Sequence, residues 1–453
     1  MAVTVDTIAA ISTAPGRAAI AVVRASGPEV ATIIRRTLDE KLPERRPTLR
    51  WLKHPESGEL VDQVLATVYL GPESYSGEDM LELSCHGGPL VPELVLDAVL
   101  AAGARVAEPG EFTRRAYLNG KLDLLQAEAV LDLVNGRSAA EHRAAVHQLD
   151  RGLSRRIEEL RDALIRCEAL LAYDIDFPEE DEGPVPPEQI DAAASDVARR
   201  IDVLLETASE GALLREGALT VIAGRPNAGK SSLFNALCGV ERVIVTEEPG
   251  TTRDAVEALV SLGGYPFRLV DTAGLRETTG RIERMGIEVA RRYLAAADVV
   301  LFCAESGRPL MQEEARFLDT VASGCVMLVR TKNDLSDIKM GRSAELDVSE
   351  VLVSTVTGEG LGTLRDRLVA AVFSGARASD AEAPLVTRER HARELRLARA
   401  EIDAFSNSRS EGLAPEVTAT HLRTAAQALE ELLGVIGPED LLTRVFSEFC
   451  IGK

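Results

Sequence analysis

"GRPNAGKS", residues 224–231, lies between the apolar run "LTVIAG" and the helix-like segment "SSLFNALCG". It matches the pattern G-x-x-x-x-G-K-[ST] in the strand-then-helix context that a phosphate-binding loop requires. Backbone N–H groups of such a loop, together with the N-terminus of the following helix, bind phosphate oxygens. We therefore expect Lys230 to contact the β- and γ-phosphates of a nucleoside triphosphate and Ser231 to bind Mg²⁺.

Further motifs follow in the order typical of guanine-nucleotide-binding domains. "GTTRD" (250–254) supplies threonines for a switch segment over Mg²⁺, and "DTAG" (271–274) places Asp271 near the metal. "TKND" (331–334) ends another apolar run and positions Asp334 to accept hydrogen bonds from guanine, and "STVTGEG" (354–360) supports the base. The predicted GTP-binding residues are Asn227, Ala228, Gly229, Lys230, Ser231, Ser232, Thr246, Thr251, Thr252, Asp271, Thr272, Ala273, Gly274, Lys332, Asp334, Ser354 and Thr355.

Two positions depart from the usual pattern. Thr331 stands where asparagine is usual and cannot make both amide hydrogen bonds, which predicts weaker nucleotide binding with guanine preference retained by Asp334. Leu275 stands where Ras-type switches carry the glutamine that orients the attacking water, so another group must do this. Glu283 is the nearest carboxylate on the segment that follows, although on its own it also fits a solvated helix residue.

The pattern of apolar and polar residues changes along the chain, and these changes predict its domains. Strand-like runs alternate with helical segments over 216–375, which predicts a doubly wound, mostly parallel sheet, a Ras-like P-loop GTPase domain. Residues 1–118 read as an N-terminal α+β domain. Residues 119–215 and 376–453 read as the two parts of one helical domain, which predicts a multidomain α/β plus α chain with an inserted GTPase domain.

Composition limits the classes of protein that fit. The 453-residue chain has a formal net charge of −21, which argues against broad electrostatic attraction to nucleic acid. Six scattered cysteines without paired spacing indicate reduced thiols in the cytoplasm. We expect no secretory signal and no membrane segment, because no apolar run reaches the ~18–20 residues that a bilayer requires.

Seven blocks resemble those of a known family, and they are "AGRPNAGKSSLFNAL", "EEPGTTRD", "DTAGLRET", "YLNGKLDLLQAEAV", "IDFPEED", "GALLREG" and "FCIGK". Together they resemble the MnmE (TrmE) family of tRNA modification GTPases over residues 6–453. The resemblance implies a homodimer whose N-terminal domain binds a tetrahydrofolate derivative, either 5-formyl or 5,10-methylene. It implies that the chain and an FAD-binding partner, MnmG, add an aminomethyl-type or carboxymethylaminomethyl group to C5 of wobble uridine in certain tRNAs.

The resemblance also implies roles for single residues in GTP hydrolysis, which K⁺ and G-domain dimerisation would activate. The implied ligands are Asn227, Thr246, Glu248 and Thr251 for K⁺, and Ser231 and Thr252 for Mg²⁺. Glu283 matches the glutamate that orients the hydrolytic water. Arg253 remains the alternative source of positive charge for the transition state.

The implied folate-binding residues are Arg24, Glu82, Lys121 and Lys453. Cations suit the glutamate tail of a folate, and a carboxylate suits the donors on its pterin edge. Lys453 at this site would bring Cys450 close to the one-carbon donor. Two interpretations of Cys450 stay open, a nucleophilic or redox thiol and a small apolar residue packed beside Phe446 and Phe449.

A GTP-dependent switch for ribosome assembly is the alternative function. The GTPase motifs alone do not separate the two functions, because both classes of protein share them. An assembly factor is expected to add a basic RNA-binding domain, whereas the flanks here are helical, acidic and end in "FCIGK". The flanks therefore favour tRNA modification.

Overall fold

Two β-sheets, each with its own core, organise the chain in a computed structural model. The structure describes residues 6–39, 41–176, 186–240, 243–244, 256–272, 292–321, 325–335, 349–373, 386–435 and 439–453. The chain divides into a first unit (Met1–Leu131, Leu149–Arg161 and Ala426–Lys453) and a second unit (Asp132–Gln148 and Asp162–Ala425). The predicted domain boundaries stay a prediction.

The first unit contains a six-stranded sheet with the order β3-β4-β5-β2-β1-β6. Its strands are β1 (Ile8–Ile11), β2 (Ile20–Ser26), β3 (Thr48–Lys53), β4 (Leu60–Tyr69), β5 (Met80–His86) and β6 (Arg105–Val106). Neighbours are antiparallel except for β1 and β6, which are parallel. Helices α1 (Val30–Leu38) and α2 (Val91–Ala101) cover one face with Ile33 and Val95. We call the opposite side the open face.

Three helices form a second core in the first unit. Helices α3 (Glu111–Leu118), α4 (Leu124–Asn135) and α14 (Glu439–Ser447) border it, and its buried members are Leu124, Ala127, Leu131, Leu442, Val445, Phe446 and Phe449. The segment after α14 continues along the sheet, because Ile451 forms a β-bridge with Pro109. Gly452 has a φ of 96°, and a Cβ there would clash with the carbonyl oxygen of Ile11. This segment is therefore held against the first unit.

The remaining helices are α5 (Ala139–Leu149), α6 (Gly152–Asp176), α7 (Pro187–Glu206), α8 (Ala208–Glu216), α12 (Glu389–Ser410) and α13 (Pro415–Leu433). Helices α7 and α12 pack together through apolar stripes, with ion pairs from Arg399 to Asp202 and from Arg409 to Asp191 beside them. Gly136 lies in the break between α4 and α5. Among the described residues, no helix combines the length and apolar content that crossing a bilayer would need.

The second unit contains a seven-stranded sheet with the order β13-β12-β11-β7-β10-β9-β8. Its strands are β7 (Ala218–Gly224), β8 (Val243–Ile244), β9 (Val256–Leu262), β10 (Tyr265–Asp271), β11 (Val299–Glu305), β12 (Cys325–Thr331) and β13 (Ser349–Leu352). The five strands from β13 to β10 run parallel, and β9 and β8 are antiparallel to their neighbours.

Helices cover both faces of this sheet. Helices α9 (Lys230–Val240) and α11 (Leu361–Val372) contribute Leu233 and Leu368 to the core on one face. Helix α10 (Gln312–Val321) contributes Leu318 to the core on the other. The predicted doubly wound, mostly parallel sheet is confirmed. In such a sheet the carboxyl ends of the strands beside a reversal of strand order form the usual ligand site.

Helix α5 is attached to the tip of the β9–β10 hairpin. The Ala140 N–H donates to the Gly264 carbonyl over 2.9 Å, and Ala140 is part of the core of the sheet. Ser138 and Glu141 form a capping box, in which the Glu141 N–H donates to Ser138 Oγ and Glu141 Oε2 accepts from the Ser138 N–H. The start of α5 is thus fixed against the hairpin.

Candidate functional site

The loop after β7 has the curvature of a phosphate-binding loop. Gly224, Asn227 and Gly229 have φ values of 141°, 64° and 83°. A Cβ at Gly224 would clash with the carbonyl oxygen of Cys303, so glycine is required there. Lys230 is buried, and its Nζ donates to the Arg225 carbonyl over 2.7 Å. The ammonium group therefore spans the loop at the position expected for phosphate binding.

A hydroxyl and a carboxylate from two elements meet beside this loop. Ser231, in the first turn of α9, donates through Oγ to Asp271 Oδ2 at the end of β10 over 2.8 Å. Thr272 Oγ1 donates to the Ile222 carbonyl over 2.8 Å, which ties the end of β10 to β7. Hard oxygen donors of this kind suit Mg²⁺, so Ser231 and Asp271 fit the predicted metal site.

Asp334 is oriented by a buried serine. Ser354 Oγ donates to Asp334 Oδ1 over 2.6 Å and accepts from the N–H groups of Val356 and Thr357. Lys332 has a φ of 57° and forms an ion pair with Glu305. Thr355 follows Ser354 in the loop after β13. Ser354 therefore fixes the Asp334 carboxylate, whose role in guanine recognition stays a prediction.

Thr331 makes a contact that sequence reasoning missed. Its Oγ1 donates to the carbonyl of Ala228 in the phosphate-binding loop over 2.8 Å, and the carbonyl of Ala304 lies 3.3 Å from the same atom. Comparison of "TKND" with the usual motif indicated only the hydrogen bonds that an asparagine side chain makes and a threonine side chain cannot. The bond that it does make depends on the order β12-β11-β7 in the sheet, which a single sequence does not reveal.

Several predicted site residues lie outside the described residues. They are Thr246, Glu248, Thr251, Thr252, Ala273, Gly274 and Glu283. The described site residues lie at, or just after, the carboxyl ends of strands of one sheet. They are the phosphate-binding loop, Ser232 in the first turn of α9, Asp271, Thr272, Lys332, Asp334 and Ser354.

Two of the predicted folate-binding residues pair on the open face of the first sheet. Arg24 donates to Glu82 Oε1 through Nε over 3.0 Å and through a terminal nitrogen over 2.8 Å. The guanidinium of Arg24 also lies 5.5 Å from the ring centre of Tyr75 and 5.7 Å from that of Phe112. This cluster combines a cation, a carboxylate and aromatic faces.

Tyr69 is a neighbour that sequence reasoning missed. Its hydroxyl lies 3.5 Å from Glu82 Oε2, and burial together with the charge of Glu82 raises the pKa of Tyr69. The pattern that could have revealed this contact is the alternation of side chains along β4, which places Thr67 and Tyr69 on the open face with Glu82.

The other two predicted folate-binding residues have different hydrogen-bond partners. Lys121 Nζ donates to the Pro72 carbonyl over 2.9 Å, and the Lys453 N–H donates to the Cys450 carbonyl over 3.3 Å. Within the described part of the first unit, neither lysine hydrogen-bonds to Arg24 or Glu82. The thiol of Cys450 is exposed, whereas Phe446 and Phe449 are buried, so this thiol is not part of their packing.

The other thiols differ from Cys450 in their surroundings. The five cysteines whose side chains are described are all free, and burial raises the pKa values of Cys85 and Cys167 to about 11. These two thiols stay protonated at neutral pH and are poor nucleophiles. No group of three or more His, Cys, Asp or Glu side chains suited to a metal occurs among the residues that the structure covers.

The fold and this site define a P-loop GTPase. The family model described as "MnmE helical domain" matches residues 124–450, and that described as "GTP-binding protein TrmE N-terminus" matches residues 7–121. The tRNA modification GTPases MnmE of Moorella thermoacetica and Geobacter metallireducens are 42% and 40% identical to this chain, over 99% of each chain. The chain therefore belongs to the MnmE family of tRNA modification GTPases.

A solved structure shares a smaller region. The G domain of the T. maritima FeoB iron transporter is 32% identical, and the match covers 34% of this chain and 98% of that chain with a TM-score of 0.28.

Proposed function

We propose that this chain hydrolyses GTP in the cytoplasm, as part of a reaction that modifies C5 of wobble uridine in certain tRNAs. The observation that carries the proposal is the joint placement of Lys230, the Ser231–Asp271 pair and the oriented Asp334 at one edge of the second sheet. The chain belongs to the MnmE family, with about 40% identity to its relatives along 99% of its length, and this membership supports tRNA as the substrate.

In this proposal each residue acts on a defined part of GTP. Lys230 and the loop N–H groups bind the β- and γ-phosphates, while Asp334 accepts from guanine N1–H and N2–H₂. Ser231, Asp271 and Thr252 would hold Mg²⁺, which supplies positive charge at the phosphates. Leu275 stands where Ras-type GTPases carry the glutamine that orients the attacking water, and Glu283 performs this role instead.

K⁺ is the proposed activator of hydrolysis. Asn227 is an exposed amide on the rim of the phosphate-binding loop, and Thr246, Glu248 and Thr251 are its proposed partners in holding the ion. When bound, K⁺ would supply the charge that an arginine provides in other GTPases. Arg253 is the alternative for this role.

We also propose a homodimer that binds a tetrahydrofolate derivative, 5-formyl or 5,10-methylene, on the first unit. The Arg24–Glu82 pair, with the Arg24 guanidinium close to the rings of Tyr75 and Phe112, supports the folate site, and Lys121 and Lys453 are the proposed cations for the glutamate tail. Cys450 is its proposed reactive thiol. The exposed apolar side chains on the open face, Ile20, Leu49, Trp51 and Leu65, support the dimer.

The further partner in this proposal is MnmG, which brings FAD. With a formal charge of −21, this chain is a poor general binder of RNA, so MnmG contributes much of the tRNA contact. The same charge disfavours the alternative, a GTP switch for ribosome assembly.

Nucleoside mass spectrometry of tRNA tests the function. Cells lacking the chain should lose the C5 substituent of wobble uridine, and the wild-type chain should restore it. A Lys230→Ala variant should not restore it, because the loop then lacks its phosphate-binding cation. An unchanged nucleoside profile in the deletion strain would contradict the proposal.

A further inference from the structure

Residues 35–53 form a basic stretch in an otherwise acidic chain, and we call them the basic edge. They run from the second half of α1 through the connection to β3, which is the edge strand of the first sheet. The stretch contains seven cations and three carboxylates, whereas the whole chain has a formal net charge of −21. The cations are Arg35, Arg36, Lys41, Arg45, Arg46, Arg50 and Lys53.

Contacts with neighbouring elements hold the basic edge against the first sheet. At the end of β3, Lys53 Nζ lies 2.8 Å from Asp39 Oδ2, just after α1. The Arg45 N–H donates to the Val68 carbonyl over 2.8 Å, and the Arg45 guanidinium lies 3.1 Å from the Glu73 carboxylate. The backbone of the basic edge is therefore fixed before any partner binds, which lowers the entropic cost of binding.

Four cations of the basic edge have no carboxylate within ion-pair distance in the described part of the chain. Arg35 donates to the neutral Thr32 Oγ1 over 3.0 Å. Arg36 donates to the carbonyl of Ala102 over 2.9 Å, which is also a neutral acceptor. All four side chains are exposed, and they belong to Arg35, Arg36, Lys41 and Arg46. Their positive charge is therefore available to a partner.

A second arginine-rich stretch lacks this excess of charge. In the first half of α12, three arginines each lie beside a carboxylate, with N–O distances of 2.7, 2.7 and 2.9 Å. The pairs are Arg393–Glu394, Arg396–Glu389 and Arg399–Asp202. Arginine content alone therefore does not leave charge unneutralised, and the basic edge differs from α12 in this respect.

Unneutralised and exposed cations suit a polyanionic partner. A helix that binds a bilayer surface also needs exposed apolar side chains to insert among the lipids. The apolar residues of α1 are instead buried, and they are Val30, Ile33, Ile34 and Leu38. RNA requires only the cations, because its phosphates are charged and accessible along the whole backbone. The basic edge therefore fits RNA better than a membrane.

We propose that the basic edge is an RNA-contact surface, on which Arg35, Arg36, Lys41 and Arg46 bind phosphates of the tRNA substrate. The inference rests on the proposed tRNA modification, and it adds a contact on this chain to those proposed for MnmG. Phosphate contacts carry no sequence information, so this surface holds and orients the tRNA but does not select it.

Binding of the full chain to fluorescently labelled tRNA, without MnmG and over a range of KCl concentrations, tests the inference. The test variant carries Arg35→Gln, Arg36→Gln, Lys41→Gln and Arg46→Gln together. Its Kd in about 50 mM salt should rise about tenfold or more. The slope of log Kd against log[KCl] should fall by about 3, because each lost phosphate contact removes about 0.7–0.9. GTP turnover without tRNA should stay at the wild-type rate.

The matched control removes four positive charges from exposed arginines elsewhere, each of which has a carboxylate partner. It combines Arg199→Gln, Arg393→Gln, Arg396→Gln and Arg423→Gln. Its Kd and salt slope should stay within about twofold of wild type. Thermal unfolding establishes that each variant is folded. If the test variant does not fold, Arg35→Gln with Arg36→Gln, and Lys41→Gln with Arg46→Gln, should each show about half of the slope change.

Three outcomes would overturn the inference alone. They are a test variant that binds tRNA with the wild-type Kd and slope, a control variant that is weakened equally, and a wild-type chain that binds phosphatidylserine vesicles but not tRNA. The last outcome would assign the basic edge to a membrane. The proposed function fails by a different measurement, an unchanged nucleoside profile in the deletion strain, so the two failures are distinguishable.

Discussion

Asn227 carries a backbone conformation that a non-glycine residue rarely adopts. Its φ of 64° lies in the left-handed region, which costs an L-residue roughly 1–2 kcal/mol and which asparagine tolerates better than most. Strain of this kind persists where the surroundings impose it, commonly at functional sites. The exposed amide on this strained backbone is consistent with the proposed K⁺ ligand.

Replacing Na⁺ by K⁺ at constant ionic strength should raise GTP turnover severalfold or more in the wild-type chain. Asn227→Gly should lose this increase and still bind GDP, because glycine accepts the positive φ but offers no amide oxygen. Steady-state phosphate release in the two salts measures the effect.

Asn407→Ala removes an exposed asparagine side chain from α12 and should respond to K⁺ as the wild-type chain does. Equal K⁺ stimulation in the Asn227→Gly variant would exclude this residue as a ligand. No stimulation in the wild-type chain would remove the ion from the proposal and leave Arg253 as the source of charge.

Single residues were predictable from sequence where their role is local. Lys230 and Ser231 follow from one contiguous motif, and Ser231 Oγ lies 2.8 Å from Asp271 Oδ2. The contact between Thr331 and Ala228 was not predictable, because it depends on the alignment of strands far apart in sequence. The same is true of the contact of Tyr69 with Glu82.

Secondary-structure elements differ in how clearly the sequence marks them. The apolar runs of the second unit, such as "LTVIAG", became buried strands because a parallel sheet is covered on both faces. Strand β3, "TLRWLK", was not predicted, since its exposed Leu49 and Trp51 obscure the alternation that a half-buried strand shows. The β-bridge at Ile451 was also not predictable, because one residue pair has no sequence period.

Deleting residues 450–453 should weaken binding of 5-formyltetrahydrofolate by about tenfold or more. The deletion removes Lys453, the proposed cation for the glutamate tail, together with the segment that Ile451 and Gly452 hold against the first unit. Isothermal titration calorimetry measures the change.

Glu448→Ala alters an exposed side chain just before this segment and is the control that should bind folate normally. An unchanged titration after the deletion would separate the C-terminal segment from the folate site.

The open face of the first sheet bears on the oligomeric state of the protein. Trp51 is 54% exposed there, and Leu49 and Leu65 lie opposite each other on β3 and β4. Exposed apolar groups that cluster on one face mark contact surfaces more often than scattered ones do. A second copy of this chain is the partner that the proposed homodimer requires.

Trp51→Glu should shift the chain from dimer to monomer in analytical ultracentrifugation, because burying an unpaired carboxylate in the interface is unfavourable. Leu94→Glu makes the same kind of change on α2, which covers the opposite face, and should leave the dimer intact. A stable dimer of the Trp51 variant would place the interface elsewhere.

Contacts between distant segments of the first unit were not predictable from the sequence. The sequence predicts that residues 119–215 and 376–453 are two parts of one helical domain, but it does not indicate that Leu124 and Leu131 pack against Phe446 and Phe449. Such pairings between distant segments leave no local pattern, because each helix alone shows only an apolar stripe.

That shared core has a consequence for how the protein is made. Leu131 leaves the ribosome long before Phe446, by roughly 15–60 s at about 5–20 residues per second. During this interval the apolar stripe of α4 lacks the aromatic residues that later cover it. The first unit therefore completes its core only after α14 has been synthesised, and a nascent chain stalled before α14 would expose that stripe to chaperones.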